Sequence, residues 1–118
     1  MSPSPTALPP ITTVPPEELQ RGGLAREGTW AIAFLADWCP FCRRFTPEFA
    51  SLAGQGFEIA RADLTEYDSP LWDALDIEVV PTVIVYRDGR PIFRANGRLG
   101  AGLGADALGA VLAAASSV

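Results

Sequence analysis

A chain of 118 residues with a formal charge of −5, nine arginines, no lysine and no histidine excludes several functions at once. Nucleic-acid binding needs a basic surface that this balance denies, and two cysteines without histidine cannot supply a four-ligand zinc site. The length suits one domain with its own core, and no apolar run approaches the ~20 residues that cross a bilayer.

Residues 1–10 carry four prolines and little to bury, and read as a flexible arm ahead of a single domain over 11–118. The opening Met-Ser-Pro-Ser-Pro has neither the charged nor the apolar region of a secretory signal, so a cytoplasmic location is expected. Ile11-Thr12-Thr13-Val14 predicts a short edge strand. Pro15-Pro16-Glu17-Glu18-Leu19 has proline and acids where a helix starts, with Gly22-Gly23 weakening its second half. Trp30 to Ala36 is continuously apolar, as suits a central strand covered on both faces. A helix is predicted from about Cys39 to Ala53, with Phe45, Phe49 and Leu52 at helical spacing and Pro47 inside it.

Phe57 to Ala62 reads as the next strand. Ser69-Pro70 opens a short helix with Ser69 as its N-cap and Leu71 and Leu75 as its buried stripe. Thr82-Val83-Ile84-Val85-Tyr86 and Pro91-Ile92-Phe93-Arg94-Ala95 flank an Asp-Gly turn and predict a hairpin. A terminal helix over roughly Gly104 to Ala114 would pack through Leu108, Val111 and Leu112. Strand-helix-strand followed by a hairpin and a closing helix predicts an α/β fold. Its mixed sheet of four to five strands would be flanked by helices on both faces.

The chemistry concentrates in Trp38-Cys39-Pro40-Phe41-Cys42, where a buried strand turns into a helix. Cys39 falls near the N-cap and Pro40 at the first helical position, where its missing N–H costs nothing. Positions i and i+3 of a helix lie roughly 5–6 Å apart, within reach of a disulfide. The first thiol faces the unpaired N–H groups and positive end of the helix, a setting for a nucleophile. It is therefore expected to be exposed, with Cys42 a turn further in as the resolving partner.

Trp-Cys-x-x-Cys after an apolar strand resembles the thioredoxin family, and the resemblance runs over about residues 11–115. Pro47 matches the proline of the family's active-site helix, Val80-Pro81-Thr82 its cis-proline loop, and Gly97 a glycine after its final strand. The resemblance implies a thioredoxin fold and a protein-disulfide oxidoreductase with Cys39 and Cys42 as its catalytic dithiol. Trp38, Pro40, Phe41, Val80 and Pro81 would form the substrate surface. It implies no cofactor or metal, since no nucleotide or flavin motif is present. The expected partners are disulfide-bearing proteins and an external reductase, either thioredoxin reductase-like or glutathione-based, acting on a monomer with no membrane or nucleic-acid partner.

Two departures stand out. Pro40-Phe41 replaces the Gly-Pro of thioredoxins proper and is closer to the Pro-Tyr of glutaredoxins. A less reducing dithiol is the consequence, and a glutathione-dependent reductase is an alternative. A non-catalytic binding subunit on the same fold is another. Ala33 occupies the place, six residues before the first cysteine, where thioredoxins keep a buried aspartate that takes the resolving thiol's proton. Asp37, Glu58 and Asp63 are the nearest acids in sequence, and none is placed beside Cys42. Slow resolution of mixed disulfides is therefore expected.

Overall fold

The computed structural model describes residues 11–19, 23–98 and 102–116. The proline-rich arm expected over 1–10 lies outside them. Five strands form one mixed sheet in the order β1-β3-β2-β4-β5. They are β1 (Thr12–Thr13), β2 (Thr29–Leu35), β3 (Glu58–Asp63), β4 (Thr82–Arg87) and β5 (Arg90–Ala95), with helices α1 (Pro40–Ala50), α2 (Leu71–Ala74) and α3 (Ala105–Ser116) between and after them. Among the described residues no helix is long and apolar enough to cross a membrane.

Strands β2 and β4 form the sheet's centre because their residues are apolar on both faces: Ala31 to Leu35 and Thr82 to Tyr86 are all buried. Strand β2 runs parallel to β3 and antiparallel to β4. The edges are β1, only two residues long, and β5, which carries Pro91 next to a register irregularity at Val85/Tyr86. A proline has no N–H for a ladder, so an edge with a bulge is where it fits. The hairpin turns at Asp88 and Gly89, with φ of 50° and 87°, the left-handed pair that a two-residue primed turn requires.

The core joins Phe45 and Phe49 of α1, whose rings stack at 5.7 Å, to the buried residues of the central strands. Helix α3 adds Val111 and Ala115 to this core and packs on β5, β4 and β2.

Three expectations are corrected at the element ends. The helix predicted after Pro15 is only a single 3-10 turn, Pro16–Glu18. Leu19 is buried at once, and the Ala25 N–H returns to the Glu18 carbonyl while Arg26 pairs with the Glu18 carboxylate at 2.7 Å. In α2 the cap is Pro70, not Ser69, because proline's fixed φ (here −64°) is already helical; the Ser69 hydroxyl instead accepts the Leu71 N–H at 3.3 Å. Helix α1 stops at Ala50, with turns continuing toward Gly54.

The antiparallel pairing of Phe34 with Thr82 brings the exit of β2 beside the entry to β4. At that entry the Val80-Pro81 bond is cis. Buried Thr82 fastens it: its hydroxyl donates to the Val79 carbonyl at 2.6 Å and accepts the Gly97 N–H at 3.5 Å. A Cβ on Gly97 would lie 2.4 Å from the Pro81 carbonyl oxygen, a contact with backbone that only displacement could relieve. Gly97→Ala should therefore cost about 1–3 kcal/mol, read as a lower urea midpoint. An unchanged midpoint would mean that the loop shifts freely.

Candidate active site

The site is built at the junction of β2 and α1. Cys39 is the N-cap of α1, in extended conformation, and Pro40 takes the first helical position. The Cys39 sulfur accepts the Cys42 N–H at 3.3 Å, satisfying one of the donors a helix start leaves open. On its other side the Cys39 thiol donates to the Val80 carbonyl at 3.6 Å. Both cysteines are free thiols.

Cys39 is 4 % exposed and Cys42 2 %, so the expected exposure of the first thiol is corrected. Cys39 lies below the surface, with its thiol against the Val80 carbonyl. It opens instead onto a cavity of about 240 Å³, which Trp38, Pro40, Phe41 and Val80 also line. Pro81 is buried in the adjoining loop, and Cys42 sits in the core behind. The structure thus gathers all seven residues singled out from the sequence into one region, five of them around one cavity.

Sequence reasoning missed the cavity's other walls: Trp72, Glu78, Val79 and Arg98. It also missed Tyr67. The Trp38 ring stacks with both Tyr67 (5.2 Å, 16°) and Trp72 (6.5 Å, 11°). Two hydrogen bonds hold the tryptophans to the loop after β3: Trp38 Nε1–H to the Thr65 carbonyl at 2.8 Å and Trp72 Nε1–H to the Glu66 carbonyl at 3.0 Å. No periodicity announces such a stack, since its members come from a loop, a strand-to-helix turn and α2.

Burial pushes the Cys42 thiol up, to about 12, helped by the neighbouring Cys39 and opposed by a hydrogen bond with the Ala36 backbone and, least, by the Arg61 guanidinium. Ala33 is fully buried and pairs in register with Arg61, whose charge reaches Cys42. The three acids near in sequence are engaged or exposed elsewhere. Asp63 accepts the Thr65 N–H, Asp37 lies 3.9 Å from Arg61 with most of its side chain exposed, and Glu58 is exposed at the start of β3. Arg43, a neighbour of Cys42 in sequence, donates to the Asp37 carbonyl at 2.9 Å.

A five-stranded mixed sheet with a Cys-x-x-Cys helix start facing a cis-proline loop defines the class of thioredoxin-fold dithiol proteins. The thioredoxin family model matches residues 13–108, and the chain belongs to that family. It is similar to the human thioredoxin-related transmembrane protein 1, 40 % identical over 67 residues, a stretch covering 53 % of this chain and 24 % of that protein. Thioredoxin of Chlamydia pneumoniae is 29 % identical over 72 residues, covering 59 % of this chain and 70 % of its own. The chain therefore spans about a quarter of the transmembrane relative and most of the bacterial one. Among solved structures, spinach chloroplast thioredoxin f superposes with a TM-score of 0.69 at 21 % identity, over 91 % of this chain and 87 % of that one. A thioredoxin f2 in complex with ferredoxin:thioredoxin reductase is represented by a structure with a TM-score of 0.67 at 22 % identity, covering 90 % of this chain and 96 % of that one. At these identities the structural likeness concerns the fold.

Burial should set how the two thiols react. A small alkylating reagent should label Cys39 through the cavity well before Cys42, and a bulky one should label both slowly. In Cys39→Ser, modification of Cys42 should still be accelerating at about pH 10, because a buried thiol stays protonated past its ordinary range. A rate that levels off by pH 9 would show that Cys42 titrates as though exposed.

Proposed function

We propose that the protein reduces disulfide bonds in other proteins, with Cys39 as nucleophile and Cys42 as resolving thiol. The observation that carries this reading is the Cys39 sulfur at the start of α1, opening onto a cavity walled by the Val80 backbone and Trp38. Cys39, as thiolate, attacks one sulfur of the substrate disulfide. A Cys39–substrate bond forms, the substrate S–S bond breaks, and one substrate thiolate leaves. Cys42 then loses its proton and attacks the Cys39 sulfur. This forms the Cys39–Cys42 disulfide and frees the second substrate thiol. Two electrons have passed from the dithiol to the substrate.

The protein must be reduced again by an external dithiol or by glutathione. The thioredoxin f2 complex with ferredoxin:thioredoxin reductase supports a protein reductase as the kind of partner. A cytoplasmic setting, where thiols are kept reduced, fits this direction of electron flow. Extended substrate chain laid along Val80-Pro81 would be held through backbone groups, a mode that accepts many sequences.

With an alanine at position 33, the Cys42 proton goes to water or to the substrate thiolate released in the first step. The second step is then slow at neutral pH and speeds up as pH rises, because the raised Cys42 pKa limits the reactive fraction.

Two experiments test the reading. Cys42→Ser should accumulate mixed disulfides with a disulfide-bearing protein such as insulin, visible on non-reducing gels, whereas Cys39→Ser should accumulate none. Trapping by Cys39→Ser instead would reverse the roles. Ala33→Asp should shorten the mixed-disulfide lifetime at neutral pH in single-turnover reduction, at a stability cost of about 1–3 kcal/mol for the buried carboxyl. Equal lifetimes and equal pH dependence would mean that proton acceptance at this position does not limit resolution.

A further inference from the structure

The Tyr67–Trp38–Trp72 stack is unusual in how much of it faces water. Tyr67 is 77 % exposed and Trp38 42 %. Trp38 stacks with both other rings, and Tyr67 is the most exposed of the three. An aromatic face left open to solvent forgoes burial and offers its negative quadrupole to whatever arrives.

Carboxylates are concentrated in the segment that carries Tyr67 and Trp72. Residues 62–86 include Asp63, Glu66, Asp68, Asp73, Asp76 and Glu78 and not one basic residue. Glu66 and Asp68 flank Tyr67, Asp73 follows Trp72, and Glu78 lines the cavity onto which Cys39 opens. None of Glu66, Asp68, Asp73 and Glu78 forms an ion pair with a described residue. Three arginines stand nearby: Arg61 and Arg43 lie against Asp37, and Arg98 shares the cavity wall with Glu78.

We propose that the Tyr67–Trp38–Trp72 stack and the neighbouring carboxylates, unpaired among the described residues, form a docking surface for a polypeptide segment that carries arginine close to its disulfide. A guanidinium would lie flat on the open face of Tyr67, lengthening the stack by one plane, with Glu66 and Asp68 beside it to accept its N–H groups. Trp38 directly precedes Cys39, and Tyr67 is one ring further out. At about 3.3 Å per extended residue, the arginine belongs about two to four residues from the attacked cysteine. Arginine suits this surface better than lysine because it alone is planar and can stack and bond at once. The inference rests on the disulfide-reductase reading for why a disulfide comes to this face; the rings and the charge stand independently of it.

The test measures docking apart from chemistry. Labelled peptides with serine in place of each cysteine, carrying arginine or glutamate three residues from that position, are titrated with the full chain and followed by fluorescence anisotropy. The arginine peptide should bind about three- to tenfold more tightly at low ionic strength, as expected for an exposed cation–π contact with flanking charges. The gap should narrow as salt screens it. Tyr67→Ser and the double variant Glu66→Gln/Asp68→Asn should each shrink it as well. Equal affinity for the two peptides at low salt overturns the proposal, and so does an arginine preference that both variants leave intact. Turnover of the matching disulfide peptides is measured separately. If arginine-dependent binding persists but no disulfide is reduced, the reductase reading fails and the docking surface stands. If disulfides are reduced at equal rates and bound equally whatever their charge, the docking surface fails alone.

Discussion

The local chemistry depends on where the sheet delivers the Cys39 sulfur. Strand β2 is buried on both faces, held by β3 on one edge and β4 on the other. Its end therefore cannot move relative to the start of β4, and the antiparallel register sets Val80 against the first turn of α1. Cys39 caps that helix with its sulfur and touches the Val80 carbonyl. A sulfur held from two sides by main-chain groups is oriented without a side-chain partner, in a chain that has no histidine.

Part of the site's chemistry follows from a single methyl group. A carboxyl at position 33 would sit within a fully buried strand and cost free energy on folding, while alanine costs none. The consequence falls on Cys42, whose burial favours the neutral thiol with no carboxylate at position 33. Arg61, opposite Ala33, pulls the other way but more weakly, as a partly exposed and screened charge does.

The wall of the site is of another kind. Asp63 and Thr65 tie the loop after β3 to the Asp37 N–H, and the Thr65 and Glu66 carbonyls hold the two indoles. A hydrogen-bonded loop therefore carries the aromatic stack beside Cys39, and its acids ride on the same frame. The dithiol and its neighbourhood belong to separate elements: α1 sets the sulfur, whereas the β3–α2 loop decides what surrounds it.

How much of this was legible beforehand depended on the range of the interactions. Trp30 to Ala36, the Asp-Gly turn and the Cys-Pro-Phe-Cys helix start announce themselves, because apolar periodicity, positive φ and an N-terminal proline act within a few residues. The cis bond at Val80-Pro81 was implied by the resemblance to thioredoxins. Pro15 to Leu19 misled, since local helix signals yielded to the early burial of Leu19 and the Glu18–Arg26 pair. Cys39 misled for a similar reason: a helix start looks open in sequence, but its thiol lies buried against the Val80 carbonyl, some forty residues away. By itself, then, the sequence determined the order of strands and helices, the dithiol and the missing acid at Ala33. Only the tertiary structure decided the depth of each sulfur, the cation whose charge reaches Cys42 and the stacking of Tyr67, Trp38 and Trp72, because each depends on contacts between elements distant in the chain.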